Sequence, residues 1–376
     1  MTELSSLYIH IPFCVSKCPY CSFDSWPGME NLHQRYVAAL LRETEELSHN
    51  VPVPLSTLFL GGGTPTILAG QELADIVTTC KGLFGFTNEA EISIEANPKT
   101  IDLAKLTLLR RSGINRLSIG VQSLQDMELQ LLGRPHSADD AITAVRLARM
   151  VGFDNISLDL MYGIPGQDHK SWQKGLEQAL SLAPDHLSLY ELTVEQGTPY
   201  YQQLDQGLLN LPDEEELAAM DQITATLCRQ AGLEQYEISN YSRSGYECRH
   251  NINYWLNGPY LALGAGAVAC LAGRRQQKTR DPRLFCEQIE SGQSVVQEEE
   301  CLEPAASFRE TVIMGLRMNQ GVSMERLQRR YQRGLDDYGD ILSRLVDQGL
   351  LEMTASHLRL TARGRIFANQ VMAELV

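Results

Sequence analysis

Nowhere does this sequence contain an apolar run near the roughly 18 residues that a membrane-spanning helix needs. Bulk positive charge is also missing: 32 Lys and Arg stand against 47 Asp and Glu, a formal net charge of −15. That balance excludes the extended basic footprint of a nucleic-acid binder and disfavours an anionic membrane surface. A small anionic ligand held by a few local arginines remains compatible with it. The opening Met-Thr-Glu-Leu-Ser-Ser has no charged region leading into a long apolar one, so no secretory leader is expected. The chain carries no P-loop, no G-x-G-x-x-G fingerprint and no internal repeat. It also has no second C-x2-C and no H-x3-H, the pairs that build a structural zinc site. Nine cysteines, an odd number without framework spacing, exclude a disulfide scaffold and point to a reducing cytosol.

At 376 residues, with 43% hydrophobic and 21% charged, the chain is long enough for one large α/β domain and a smaller one. Short β-type runs recur at Leu7–Ile11, Thr57–Leu60, Glu91–Glu95, Arg116–Val121, Asn155–Met161 and His186–Leu192. Amphipathic stretches near 33–48, 71–83, 101–112, 137–151, 170–182 and 213–232 separate or follow them. Such alternation predicts parallel strands joined by right-handed crossovers. Six units fit a partial or complete TIM-type (β/α) barrel. The unusual residues then fall at strand carboxyl ends, where barrel active sites are built. An acidic, loop-like stretch, Val296–Pro304, predicts a boundary between domains 1–300 and 301–376. The second domain reads as helices near 306–318, 323–332 and 337–349, a hairpin over Leu351–Leu360, and a last helix from Ala362. This mostly helical, winged-helix-like element has only Arg329, Arg330 and Arg333 as a basic cluster, so a lid or docking role is expected rather than DNA binding.

What is present in strength is Cys14-Val-Ser-Lys-Cys18-Pro-Tyr-Cys21, C-x3-C-x2-C just past the first strand. Packing cysteines or a zinc knuckle are the ordinary alternatives. Pro12, Lys17 and Pro19 make the stretch a loop rather than a core element. Three thiolates leave one iron of a cubane cluster open to a non-protein ligand. The loop resembles that of the radical S-adenosylmethionine (SAM) enzymes, in which SAM fills that position.

Gly61-Gly-Gly-Thr-Pro-Thr66 follows the second strand, and glycines there would let backbone approach a ligand's amino and carboxylate groups. Glu95 closes an apolar strand, where a carboxylate needs donors; ribose hydroxyls would supply them, and so would a salt bridge. Gln122, Arg134 and Asp159 are carried into the same mouth, with Arg134 suited to fork onto a carboxylate. Gly163-Ile-Pro-Gly-Gln167 is expected to shape a turn. His250, flanked by Arg249, Asn251, Tyr254 and Trp255, would either ligate haem iron or satisfy hydrogen bonds, and residue types alone favour the second.

Together, Tyr8-Ile-His-Ile-Pro-Phe-Cys, the cysteine loop, the Gly-Gly-Gly-Thr-Pro-Thr run and Glu95-Ala-Asn-Pro resemble one family. Gly120-Val-Gln-Ser, Asp159-Leu-Met-Tyr-Gly-Ile-Pro-Gly-Gln and His250-Asn-Ile-Asn-Tyr-Trp extend the likeness. The family is the haem-chaperone branch of the HemN-like radical SAM proteins, and the likeness runs from Tyr8 to Gly364. It implies a [4Fe-4S] cluster on Cys14, Cys18 and Cys21. It implies SAM contacts from Tyr8, Gly62, Gly63, Thr64, Glu95, Gln122, Arg134 and Asp159, with backbone contacts from Thr193 and Val268. It also implies haem as cargo, with His250 as candidate ligand. Haem propionates need cationic partners, and Arg249, Arg274 and Arg275 lie in the right part of the sequence to be candidates. In such a site the reduced cluster passes an electron to the sulfonium of SAM, while the protein supplies alignment and excludes water.

The oxidatively decarboxylating relatives continue the motif as C-x3-C-x2-C-x-C, where this chain has Phe23, and have a longer arm before the first strand. Both differences imply a haem chaperone serving membrane haemoproteins, in the cytoplasm or peripheral to the inner membrane through a partner. Against that branch, Val268-Ala269 stand where it commonly has His-Ser, which leaves His250 the better haem candidate. A homodimer is left open. The alternatives are an oxygen-independent coproporphyrinogen dehydrogenase and another radical SAM enzyme acting on a tetrapyrrole.

Overall fold

The computed structural model describes residues 6–49, 54–271 and 273–376; the leader reading of the first residues lies mainly outside them. Six parallel strands form in chain order: β1 Ser6–Ile11, β2 Leu55–Gly62, β3 Phe86–Ala96, β4 Arg116–Gln122, β5 Asn155–Tyr162 and β6 His186–Glu191. Each pairs with the next in parallel register. Helices α1 His33–Ser48, α2 Gly70–Phe84, α3 Leu103–Ser112, α4 Ala138–Met150, α5 His169–Ser181 and α6 Glu214–Gln230 pack outside. Their starts are chemically marked: Asp102, Ser137, Asp168 and Asp213 each accept a backbone N–H of their helix's first turn.

Strand alternation sets the two faces. In β1, Leu7, Ile9 and Ile11 join the apolar core beneath the helices, while Tyr8 and His10 point to the concave side. On that side lie Ser93 and Glu95 of β3, Arg116 and Ser118 of β4, and Ser157 and Asp159 of β5, which form a polar lumen.

The sheet does not close. A strand at Tyr260–Leu263 adds in parallel to β1, and Val268–Leu271, Arg274–Lys278 and Val296–Cys301 extend it antiparallel. At the other end β6 is followed by antiparallel Asn240–Ser242 and then Glu234–Gln235. The result is an open twelve-stranded sheet, a partial barrel. The acidic stretch expected to be loop-like is therefore an edge strand over most of its length. Its run of Glu298, Glu299 and Glu300 is exposed, with Glu299 paired to Arg274 and Glu300 to Arg275, and charges of this kind blunt an edge against further pairing.

Beyond Cys301 a separate core forms around Phe308, Val312, Leu345 and Leu358. Helices at Pro304–Leu316, Met324–Tyr331 and Gly339–Asp347 pack with a three-stranded sheet of Val322–Ser323, Leu351–Met353 and His357–Leu360. The expected last helix is split into Ala362–Ile366 and Ala368–Ala373.

Candidate functional site

At the carboxyl ends of the parallel strands lies a cavity of about 530 Å³, within the range of small-molecule sites. Cys14, Cys18 and Cys21 line one side of it, and Gly62, Gly63, Thr64, Glu95, Gln122, Arg134 and Asp159 line the rest. Seven residues expected from four different strands and their following loops thus reach one space with the three cysteines.

The cysteine loop is anchored at both ends. Phe13–Cys14 pairs with Trp26–Pro27, and the Trp26 N–H donates to Pro12 O at 2.7 Å. The glycine loop is zipped to its entry: Gly63 N donates to Ile11 O at 2.8 Å and Thr64 N to Phe13 O at 2.7 Å. Glycine is required there, because a Cβ on Gly63 would stand 2.5 Å from Phe13 O. A Cβ on Gly62, at φ +116°, would meet the His10 ring at 2.6 Å. Cys14 Sγ lies 3.6 Å from Thr64 Oγ1, and Arg134 Nη1 lies 3.6 Å from Cys18 Sγ.

The electrostatics follow from depth. Burial, with the Asp159 charge nearby, pushes Glu95 up to about 8, against a hydrogen bond from the Gly62 N–H at 3.1 Å. Burial also raises Asp159, although the hydroxyls of Ser118 and Ser157 donate to it at 3.0 and 3.3 Å. Burial raises the thiols of Cys14 and Cys21; coordination to a metal reverses that, because a bound thiol is deprotonated. Among the described residues no three such side chains converge on a single-ion site. Other features fit a zwitterionic, ribose-bearing ligand beside a cluster. Arg134 donates through Nη2 to Gly120 O at 3.0 Å, but its Nε is buried without a partner. Gln122 is held at φ +66°, costly for a side-chain-bearing residue and tolerated where the neighbouring structure demands it.

Two family models match the chain. The Radical SAM superfamily matches residues 8–179 and the HemN C-terminal domain matches residues 302–367. The heme chaperone HemW of Bacillus subtilis (strain 168) is 35% identical over 371 residues, covering 98% of each chain. The chain belongs to the HemW family. HemW of Escherichia coli (strain K12) is likewise 35% identical, over 98% of this chain and 97% of its own. The solved structure of coproporphyrinogen III oxidase (HemN) from Escherichia coli superposes with a TM-score of 0.86. That match covers 99% of this chain and 90% of the other, at 24% identity, so it speaks for fold alone.

Three residues expected at the HemW-type site are not in the cavity wall. Tyr8 lies below it, its hydroxyl 2.9 Å from His10 Nδ1 and its ring stacked near Phe59. Val268 sits in an antiparallel strand opposite Gln277, whereas Thr193 does line the cavity. His250, expected as a haem ligand, is 1% exposed at the opposite end of the barrel. Its Nδ1 is 2.8 Å from Thr57 Oγ1 and its Nε2 is 3.0 Å from Tyr254 OH, so neither ring nitrogen is open to iron. Burial, aided by the Arg116 charge, pulls its pKa down to about 3. The short helix Arg249–Trp255 plugs the barrel floor, and Glu91 accepts from its Arg249 and His250 N–H groups. The three candidate propionate partners are engaged elsewhere: Arg249 with Glu89 O, Arg274 with Glu299, and Arg275 with Glu310 and Glu300.

Sequence reasoning gave no role to His10 and Asn97, though both lie in the quoted motifs, and it missed Tyr190. The last two line the cavity, and His10 spans from Tyr8 to Asp24 O at 3.1 Å, tying β1 to the exit of the cysteine loop. The period of two along each strand would have found His10 and Tyr190, which share faces with Tyr8 and Ser188.

Proposed function

We propose that this protein is a haem chaperone that holds a [4Fe-4S] cluster and SAM at the carboxyl ends of its barrel strands and passes haem to haemoproteins at the membrane. The observation that carries the reading is the gathering of Cys14, Cys18 and Cys21 with Gly63, Glu95 and Arg134 around one cavity, in a chain that matches HemW chaperones over nearly its whole length. The three cysteines would hold the cluster, which when bound supplies an electron to SAM. Gly62 and Gly63 give close backbone approach for the amino acid end of SAM, Arg134 offers its guanidinium to the carboxylate, and Glu95 accepts from ribose hydroxyls. Phe23 takes the position where the decarboxylating relatives have a further cysteine, and it stands 66% exposed at the cavity rim.

The test is anaerobic. Reconstituted, reduced protein is given SAM and coproporphyrinogen, and 5′-deoxyadenosine and vinyl products are measured together. The reading expects no vinyl product from protein verified to hold its cluster, and transfer of haem to an apo-acceptor in a separate assay. Substrate-dependent vinyl formation would make the protein a coproporphyrinogen dehydrogenase instead.

A further inference from the structure

Far from the cysteine cavity, a cleft of about 240 Å³ opens between the barrel floor and the C-terminal domain. Its barrel wall is Trp255, the last residue of the floor helix that begins with Arg249. Its other walls carry Arg326 and Arg329 from the helix Met324–Tyr331, Gln320 from the preceding turn, and His357 from the hairpin. Taking the haem-chaperone reading as its basis, we infer that this cleft is the cargo site: it receives one edge of a ferric haem, with His357 as iron ligand and Arg326 and Arg329 facing the propionates.

The chemistry of His357 is the reverse of that of His250. His357 Nδ1 lies 3.0 Å from Ser356 Oγ, while among the described residues Nε2 makes no hydrogen bond. A proton on Nδ1, given to that hydroxyl, leaves the Nε2 lone pair outward, the tautomer a metal-binding imidazole requires. Binding then forms one Fe–N bond and releases one water from the ferric iron, with no change of oxidation state. Two guanidiniums in the same cleft supply forked donors for carboxylates. Glu325 also lines the cleft and opposes an anion there. Trp255 offers an indole face, held on one side by Arg317 at 4.4 Å from the ring centroid, and its Nε1 is buried without a partner.

The volume also bears on cargo release. A cleft of this size cannot enclose a macrocycle, so most of the porphyrin stays outside and accessible to an acceptor. The cleft also accounts for the place of the His250-Asn-Ile-Asn-Tyr-Trp255 motif: its histidine pins the floor helix and its tryptophan forms the wall.

The experiment is haem titration of the full chain, wild type against His357→Ala and against the double variant Arg326→Gln/Arg329→Gln. Soret position and spin state are recorded, with cluster absorbance as the check on folding. The expected result is loss of the histidine-ligated spectrum in His357→Ala, with binding weakened about tenfold or more in both variants. Haemin dimethyl ester, which lacks the carboxylates, should bind wild type and the double variant alike. A wild-type spectrum and affinity in His357→Ala overturns the site while leaving the chaperone reading intact. A wild-type chain that takes up no haem at all defeats both.

Discussion

Glu95 shows how one side chain links the empty and the occupied state of the cavity. Held at about 8 by burial, it is protonated in the folded apo-protein over a range where the unfolded chain, near the ordinary glutamate value of about 4.3, has already ionised. The folded state then binds more protons, so stability falls as pH rises from that ordinary value to about 8 and levels off above. Glu95→Gln removes the proton-binding carboxyl. Its apo-form should melt above wild type at pH 8, by an amount on the order of a few kcal/mol at most, and should lose most of that advantage at pH 5. It should also bind SAM more weakly, because an amide is a poorer acceptor for ribose hydroxyls. A melting difference that stays constant between pH 5 and pH 8 would contradict the buried, proton-binding carboxyl. At the same scale, replacing any one of Cys14, Cys18 or Cys21 by Ala should abolish the brown absorbance of reconstituted protein. A cluster retained at full occupancy in any of these variants would remove the central assignment.

Among elements, the glycine loop after β2 shows what holds the site in shape. Gly63→Ala would drive a methyl into the Phe13 carbonyl, a backbone atom that cannot turn aside. The strand β1 exit and the cysteine loop would have to move together, at a cost of about 1–3 kcal/mol. Gly82→Ala, in the last turn of α2 with open space around its position, should instead be neutral or mildly stabilising. Melting temperature and cluster occupancy measured on both variants separate a steric cradle from a flexible turn. The same contrast explains what the sequence made legible. The six parallel strands and their helices carry local signatures: apolar strand runs, amphipathic helices, and in four of the six helices an Asp or Ser cap. That the cysteine loop, the glycine run, Glu95, Gln122, Arg134 and Asp159 would share one cavity was legible because a parallel barrel places every strand end on one side. The antiparallel strands from Val268 to Cys301 were not, because their partners are set by long-range pairing and their residues, such as Arg274-Arg-Gln-Gln-Lys278 and Glu298-Glu-Glu300, read as solvated loop. His250 is a different case. Its residue types favoured satisfied hydrogen bonds and only the resemblance offered it as a ligand; the fold shows Thr57 and Tyr254 at its two nitrogens.

For the whole molecule, the question is what couples the barrel to the C-terminal domain, since each has its own core. The junction is mostly polar. Ile238 N donates to Arg317 O at 3.1 Å, Asn319 N donates to Tyr236 O at 3.0 Å, and Glu237 bridges to Met318. Asn257 Nδ2 donates to Thr311 Oγ1 at 3.0 Å. Arg317 stands at the centre of this junction. Its guanidinium lies over the Trp255 ring, and its charge opposes the burial that raises the fully buried Glu237. Arg317→Ala would remove a cation–π contact worth about 0.5–2 kcal/mol and leave Glu237 without that compensating charge. Because the lost contacts lie between the two cores rather than inside either, the expected effect is uneven. Hydrogen exchange should quicken in residues 234–242 and 304–331 while β1 to β5 keep their protection, and proteases should cut sooner near residue 302. Cluster loading should be preserved, since the cysteine cavity lies at the other end of the strands, whereas haem uptake should fall because the Trp255 wall loses its support. Uniform quickening across both domains would mean that they unfold as one unit. Unchanged exchange at the junction would mean that Arg317 contributes nothing to holding the domains together.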